Sequence, residues 1–251
     1  MPDAIVIKNI VKCFPADSCI ADPQIRNGIL YALDDVSFNI QKGSLTIICG
    51  ANGSGKSVLM SLIAGLEPAD SGTVFTDGKT GLIFQEPESQ ILGETVREDI
   101  SFSLQFSGLR KKEIDEKVNS ILAQTALLAK AEYPARTLSG GEKRLLAVAG
   151  VLAMNADIII FDEPYANMDY QSIILINKQI VKLKAEGKTI LILTHEIEKC
   201  AALADSFIVM CKGKKVFDSS PASALEQDLE IWGIRNPLAQ KSSNIKDLLW
   251  L

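Results

Sequence analysis

The 251-residue sequence predicts an α/β fold: a buried parallel sheet with helices, and a helical block inserted into the α/β body. Three observations predict it. Residues 45–57, LTIICGANGSGKS, read as an apolar strand, a glycine-rich turn and the start of a helix. Residues 157–161 and 189–193, after the leading Asp157 and Thr189, are continuously apolar, the pattern of strands covered on both faces. Residues 95–129 switch to helical spacing with many charges.

Taken in order, residues 4–11 and 36–40 alternate and are β-rich, so both read as strands. Residues 15–28, punctuated by Asp, Pro and Asn, read as a loop packed near the glycine-rich turn. The helix after that turn covers 58–66 and stops before Pro68. Short strands follow at 72–75 and 80–84, the second ending at Gln85. Within the charged helical block, 111–122 is strongly amphipathic. Leu138-Ser139-Gly140-Gly141 opens a helix of small residues running to Ala153. Residues 171–185 and 197–203 read as helices, and 207–211 with 215–217 as a hairpin through Lys212-Gly213-Lys214. Residues 1–220 form the expected main domain, with a helical subdomain over about 90–153. A short, mostly helical tail covers 221–251, with a break at 233–237. No internal repeat or low-complexity segment is present.

The formal charge of −5 and pI near 5.1 argue against a general nucleic-acid surface. The five cysteines, Cys13, Cys19, Cys49, Cys200 and Cys211, show no paired C-x-x-C spacing. Cys49 and Cys211 lie in apolar runs and are expected to be buried. Cys13 and Cys19 are expected to be unrelated thiols, and the odd count suits a reducing cytosol. The first residues, MPDAIVIKNI, lack the basic start and long apolar core of a signal peptide. No apolar run reaches the ~20 residues that span a bilayer, so a membrane role requires a partner.

Gly50, Gly55, Lys56 and Ser57 satisfy G-x-x-x-x-G-K-[ST], a phosphate-binding loop. Glycines let the backbone curl with N–H groups pointing at phosphate oxygens, and the helix that follows aims its positive end at the same anion. Lys56 supplies a charge for the outer phosphates, and the Ser57 hydroxyl can ligate magnesium. Asp162 and Glu163 end the apolar strand; Asp162 suits magnesium held through water, and Glu163 can polarise the attacking water. Ser139 reads as an N-cap, so the start of its helix is a second anion site. His195, the sequence's single histidine, stands at a strand end, where it can hydrogen-bond a γ-phosphate. The Gln85 amide, also at a strand end, can reach magnesium or the lytic water. Alone, each of these five has an ordinary reading as a cap or a solvated polar residue; together with the phosphate loop they point to ATP hydrolysis.

In this order the motifs resemble the ATPase subunit of the ATP-binding-cassette (ABC) superfamily, across nearly the whole chain. GANGSGKS looks like its Walker A, IIIFDE its Walker B with the catalytic glutamate, and LSGGE its signature. Gln85 resembles the Q-loop, Asp169 the end of the D-loop and His195 the switch histidine. The resemblance implies a P-loop NTPase fold: a RecA-like core, an antiparallel β subdomain and an inserted helical subdomain. It implies Glu163, His195 and Gln85 as catalytic groups, and Ser57, Gln85 and Asp162 around Mg2+. ATP contacts would come from Asn52, Gly53, Gly55, Lys56, Ser57 and Val58. In the family two subunits sandwich two ATPs head to tail. Ser139, Gly140, Gly141 and Asp169 of one chain would then complete the site held by Lys56 of the other, and hydrolysis would separate the pair. Phe14 is the expected adenine-stacking aromatic and Tyr31 the runner-up.

Two positions depart from the family pattern. The usual Ser-Ala-Leu-Asp of the D-loop reads Ala166-Asn167-Met168-Asp169, without its hydroxyl, and Tyr165 follows the Glu-Pro where a small or hydroxylated residue is usual.

Residues 86–92, Glu-Pro-Glu-Ser-Gln-Ile-Leu after Gln85, look like the FQ-x-P-x-x-Q-[IL] pattern of energy-coupling-factor (ECF) importers of vitamins and transition metals. Residues 95–100 and 147–153 also resemble that group. Residues 86–99 are the expected groove for a transmembrane coupling subunit, with Glu86, Glu88, Glu94, Glu98 and Asp99 facing basic partner side chains. The implied partners are a second ATPase subunit, with a homodimer favoured over a heterodimer with a sibling ATPase, and coupling and substrate-binding membrane subunits, with no nucleic acid. The implied location is peripheral, on the cytoplasmic face of the membrane. The rival readings are a soluble ABC protein of ribosomes or DNA, a non-hydrolysing regulatory module and an exporter subunit.

Overall fold

The computed structural model describes residues 2–16, 24–105 and 107–238. Its backbone begins with an antiparallel sheet made by β1 (Asp3–Pro15), β2 (Ile25–Arg26), β3 (Ile29–Gln41) and β5 (Ser71–Thr76), in the order β2-β3-β1-β5. The larger sheet contains β4 (Leu45–Cys49), β6 (Thr80–Ile83), β7 (Ile158–Asp162), β8 (Thr189–Leu193), β9 (Ser206–Cys211) and β10 (Lys214–Ser219). Its order is β10-β9-β4-β8-β7-β6, parallel throughout except for the β9–β10 hairpin.

The alternation of side chains along each strand explains the layering. Ile47, Ile159, Phe161, Ile190 and Ile192 point to one face, where α2 (Val96–Phe102), α3 (Lys111–Gln124), α4 (Gly140–Ala153) and α5 (Tyr170–Ala185) supply the covering core. Ile48, Ile158, Ile160, Leu191 and Leu193 point to the other, against α1 (Lys56–Ile63) and the antiparallel sheet. Every residue of β4 and β8 is buried, including Thr46 and Thr189, as strands covered on both faces require. The 50–57 loop and the loops of Gln85, Glu163 and His195 leave the carboxyl ends of β4, β6, β7 and β8, where a parallel sheet places ligands.

The structure changes several of the expected boundaries. β1 and β3 run well beyond 4–11 and 36–40. The two pair through register shifts around Ile10, and Asp35 adopts φ +58° there. That bulge breaks the alternation a continuous strand would show. The expected loop 15–28 contains β2; its residues 17–23 lie outside those described, and Gln24 lines the phosphate-loop cavity as expected. α1 starts at Lys56 and ends at Ile63, short of Leu66, because Gly65 (φ +70°) turns the chain out of the helix. β7 is shifted by one residue, to 158–162. Residues 197–203 form two 3-10 turns, Ile197–Lys199 and Ala201–Leu203, in place of a helix. The hairpin turns on Lys212 and Gly213, both at positive φ.

The tail begins with α6 (Pro221–Leu225) and a 3-10 turn at Leu229–Trp232; residues 239–251 lie outside those described. Ala224, Leu229 and Ile234 are buried in the same core as the large sheet. Cys13, Cys49, Cys200 and Cys211 are free thiols, and Cys19 lies outside the described residues. Cys49 is buried as expected, whereas Cys211 is only half-buried, because β9 ends there and turns outward; Cys200 is the second buried thiol.

Candidate active site

The glycine-rich turn and the carboxyl ends of β6 and β7 enclose a cavity of about 500 Å³. Asn52, Gly53, Gly55, Lys56, Ser57 and Val58 line one side, Gln85, Asp162 and Glu163 another, and Phe14 a third. Gly55 is the N-cap of α1 at φ +99°, and a Cβ there would lie 2.5 Å from the Ala32 carbonyl oxygen. Only glycine fits both the conformation and the space. Lys56 is buried, and its Nζ donates to the carbonyls of Gly50 (2.6 Å) and Ala51 (3.2 Å). Burial pushes its ammonium pKa down, opposed by the charges of Glu163 and Asp162. Burial, then the neighbouring Glu163, push the Asp162 carboxyl up, while Lys56 and Arg144 pull it down.

Glu163 has a left-handed backbone, φ +43°, and is only 8% exposed. A non-glycine residue holds that conformation only where its surroundings fix it. Its N–H donates to the Leu193 carbonyl (2.8 Å), and its own carbonyl accepts from Ala166 N–H (3.2 Å) and Arg144 Nη1 (3.3 Å). Its carboxylate accepts from the Thr194 hydroxyl (2.9 Å) and His195 N–H (3.4 Å), and meets His195 Nδ1 at 2.9 Å. An ionised Glu163 therefore fixes a hydrogen on Nδ1 and leaves Nε2 as the free ring nitrogen. Arg144, buried on α4, also donates to the Gln85 carbonyl (2.8 Å), so one guanidinium ties the Gln85 loop to the Glu163 loop.

His195 reaches the cavity only through Glu163. Ser139, Gly140, Gly141 and Asp169 do not line it. Ser139 caps α4 in a reciprocal capping box with Glu142. Asp169 caps α5 through Ser172 N–H (2.8 Å). The two caps are neighbours: a Cβ at Gly141 would lie 2.4 Å from Ser172 Oγ and 3.6 Å from Met168 Cε.

Phe14 and Tyr31 are separated by strand geometry. Phe14 pairs with Leu30 and shares the cavity with it and Ala32, whereas Tyr31 pairs with Cys13 and points elsewhere, under Arg26 at 4.8 Å from its ring centroid. The hydroxyl of Ser57, the amide of Gln85 and the carboxylate of Asp162 are hard oxygen donors among the residues lining the cavity, the donor type magnesium prefers. Among the described residues, no group of three His, Cys, Asp or Glu is placed to hold a metal ion.

The five acids expected to face a partner do not all do so. Asp99 is buried, and its Oδ1 accepts from Leu92 N–H (2.7 Å) and Gly93 N–H (2.9 Å). Glu98 closes the capping box of α2 with Thr95, and Glu88 pairs with Lys143 at 2.6 Å. Glu86 and Glu94 are exposed. Gln90, the last glutamine of the motif, clips the edge of the large sheet: Phe84 N–H donates to its Oε1 and its Nε2 donates to the Leu82 carbonyl.

A phosphate cradle at the start of α1, beside an acidic strand end in a parallel sheet, defines a P-loop nucleotide-binding ATPase. The model of the family described as ABC transporter matches residues 33–166. The energy-coupling factor transporter ATP-binding protein EcfA1 of Mycoplasma mobile is 33% identical over 238 residues, covering 87% of this chain and 85% of that one. Its Enterococcus faecalis counterpart is 37% identical over 204 residues, 76% of this chain and 73% of that one. Among solved structures, cbiO1 from Clostridium perfringens, part of the ABC transporter complex cbiONQ, superposes with a TM-score of 0.79 at 27% identity, over 95% of this chain and 97% of that one. A dimer of the ATP-binding cassette MJ0796 with ADP and Pi gives 0.74 at 26% identity, over 86% and 98%. The chain belongs to the ABC transporter family and is an ATP-hydrolysing subunit of it.

Sequence reading missed Thr194, Arg144, Leu30 and Ala32. Thr194 directly precedes His195, so its neighbour was a signal; Arg144 and the Leu30–Ala32 strand reach the site only through long-range packing.

Proposed function

We propose that this ATPase energises an importer of the energy-coupling-factor type, for a vitamin or a transition-metal ion. The observation that carries the reading is a continuous connection from the ATP cavity to an apolar groove. Gln85 lines the cavity, while Phe84, Gln90 and Leu92 of the same segment line a groove of about 430 Å³ with Leu66, Phe102 and Met154. Leu92 and Leu66 are 66% and 60% exposed. Beside it, a wider depression of about 770 Å³ is edged by Glu88, Glu94, Arg136 and Lys143. An apolar groove with a charged rim suits a coupling helix of a membrane subunit, and a push there would be felt at Gln85. No described helix is long and apolar enough to cross a membrane. Docked on membrane subunits, the chain would act peripherally, on the cytoplasmic face. The names of its ECF and cbiONQ relatives support this subfamily.

ATP would stack on Phe14, with its phosphates on the 50–57 loop and Mg2+ held by Ser57, Gln85 and Asp162. Glu163 would act as general base, oriented by Thr194 and His195. The Ser139–Gly141 and Asp169 caps would serve the ATP of a second chain. Because one sequence carries both halves, a homodimer suffices.

The test is a pull-down of this chain from detergent-solubilised native membranes, with mass spectrometry. A small substrate-binding membrane protein plus a separate coupling subunit is the expected result. Two ordinary permease subunits would discard the subfamily, and no membrane partner would overturn the transport reading.

A further inference from the structure

Outside the ATP cavity, a polar chain with buried ends at Tyr165 and Thr194 and half-buried middle members joins the Asp169 loop to the loop that carries His195. Tyr165 is 1% exposed, and its hydroxyl donates to Asn177 Oδ1 at 2.8 Å. Asn177, on α5, donates through Nδ2 to the Lys199 carbonyl at 2.8 Å. Lys199 Nζ lies 5.9 Å from the Tyr165 ring centroid and pairs with Glu196. Glu196 N–H donates to Thr194 Oγ1 (3.0 Å), and the Thr194 hydroxyl donates to the Glu163 carboxylate. The chain starts two residues after Glu163 and returns to it.

The sheet does not do this work. β8 ends at Leu193, and the residues after His195 form two 3-10 turns, anchored in the core by Ile197 and Cys200 and tied to α5 by Lys184 at the Leu203 carbonyl. A ring alone would fill the volume at 165. A buried hydroxyl is costly unless bonded, but once bonded it supplies a directional constraint that packing cannot. The other end of the same loop abuts the LSGGE helix: Met168 N–H donates to the Tyr165 carbonyl (3.3 Å), and the Met168 side chain faces Gly141.

We propose that Tyr165 is a positioning residue for the Glu163–His195 pair. Its hydroxyl, acting through Asn177 and the Lys199 carbonyl, fixes the His195 loop against the Asp169 loop and so links the two anion sites of one chain. Neither Tyr165 nor Asn177 lines the ATP cavity, so the link acts on turnover rather than on ATP binding. It provides a rigid tie in a D-loop where Ala166 replaces the usual hydroxyl.

Coupling of this kind is measured by a double-mutant cycle. Tyr165→Phe keeps the ring and removes the hydroxyl; Asn177→Leu removes the amide, with Asn177→Ser in its place if that variant does not fold. The full chain, both single variants and the double variant are compared by steady-state phosphate release and thermal unfolding. Each single variant is expected to lower kcat about 5- to 20-fold, as small misplacements of catalytic groups do, with KM for ATP within about twofold. The double variant is expected to lose no more than the worse single. A purely structural role would lower Tm and leave kcat per folded molecule unchanged, which overturns the proposal. Multiplying losses in the double variant, or a rise in KM matching the fall in kcat, also overturn it. The wild-type rate keeps the two claims apart: without wild-type hydrolysis the ATPase assignment fails, and with it an unchanged Tyr165→Phe rate sinks the positioning role alone.

Discussion

Replacing Glu163 with glutamine isolates the proposed base. The side chain keeps its shape, and its remaining oxygen can still accept from the Thr194 hydroxyl, now at 2.9 Å. What changes is the atom facing His195 Nδ1, now at 2.9 Å, and the loss of a negative charge beside Lys56. A hydrogen bond to a charged group contributes about 1.5–3 kcal/mol, but removing a buried carboxylate also relieves its desolvation. The two largely offset, so the melting temperature should move by only a few degrees. Loss of a general base costs about 10²–10⁴ in rate, equivalent to roughly 2.7–5.4 kcal/mol of barrier. Phosphate release under saturating Mg-ATP should therefore fall about a hundredfold or more, with ATP affinity retained, since the 50–57 loop is untouched. Turnover equal to wild type would refute Glu163 as base, and a collapse in melting temperature would assign the loss to unfolding instead.

Three further outcomes follow from the same geometry. Phe14→Ala should raise KM for ATP about 5- to 100-fold, as loss of a base–aromatic stack does, while Tyr31→Ala leaves it within about twofold; equal effects in an ATP titration would remove the stacking assignment. Gly55→Ala should destabilise the protein by about 1–3 kcal/mol in urea unfolding, because φ +99° and the Ala32 carbonyl both oppose a Cβ; a neutral variant would contradict this. Burial raises the folded-state pKa of Asp99 above 3.8, with the Gly93 and Leu92 N–H groups holding it down in part. That contribution to stability is fully present below about 3.8 and is lost as pH rises through the raised value. Wild type should therefore lose ground to Asp99→Asn between pH 4 and pH 7, and an equal stability difference at both pH values would show that Asp99 does not titrate this way.

The contiguous parts of the site were legible in the sequence because their chemistry is local. The 50–57 loop needs closely spaced glycines, Gly50, Gly53 and Gly55, and the apolar runs before Asp162 and at 190–193 announce a covered parallel sheet. Residues placed by packing were not legible. Asp99 reads as one more acid in an acidic stretch, yet it turns inward because Leu92 and Gly93 need an acceptor. The first half of β3 hid behind Asp34 and Asp35, poor strand formers that sit at a bulge and bond to Arg26 and Asn9. Arg144 looks like an ordinary charge on a helix; only the fold shows it spanning the Gln85 and Glu163 loops. Tyr165 stood out only as a departure from a pattern, and its hydroxyl acquired a role only once Asn177 was seen beside it.

In the dimer we propose, each ATP is held by the 50–57 loop of one chain and the Ser139 cap of another. Mixing two inactive variants tests this sharing. Lys56→Ala lacks the phosphate lysine, and Ser139→Arg blocks the second anion site. Random pairing of equal amounts makes about half of the dimers mixed, and each mixed dimer carries one site with both Lys56 and Ser139. Phosphate release should recover to about a quarter of the wild-type rate, reading rates as additive over independent sites. A mixture as inactive as its parts would contradict the shared site.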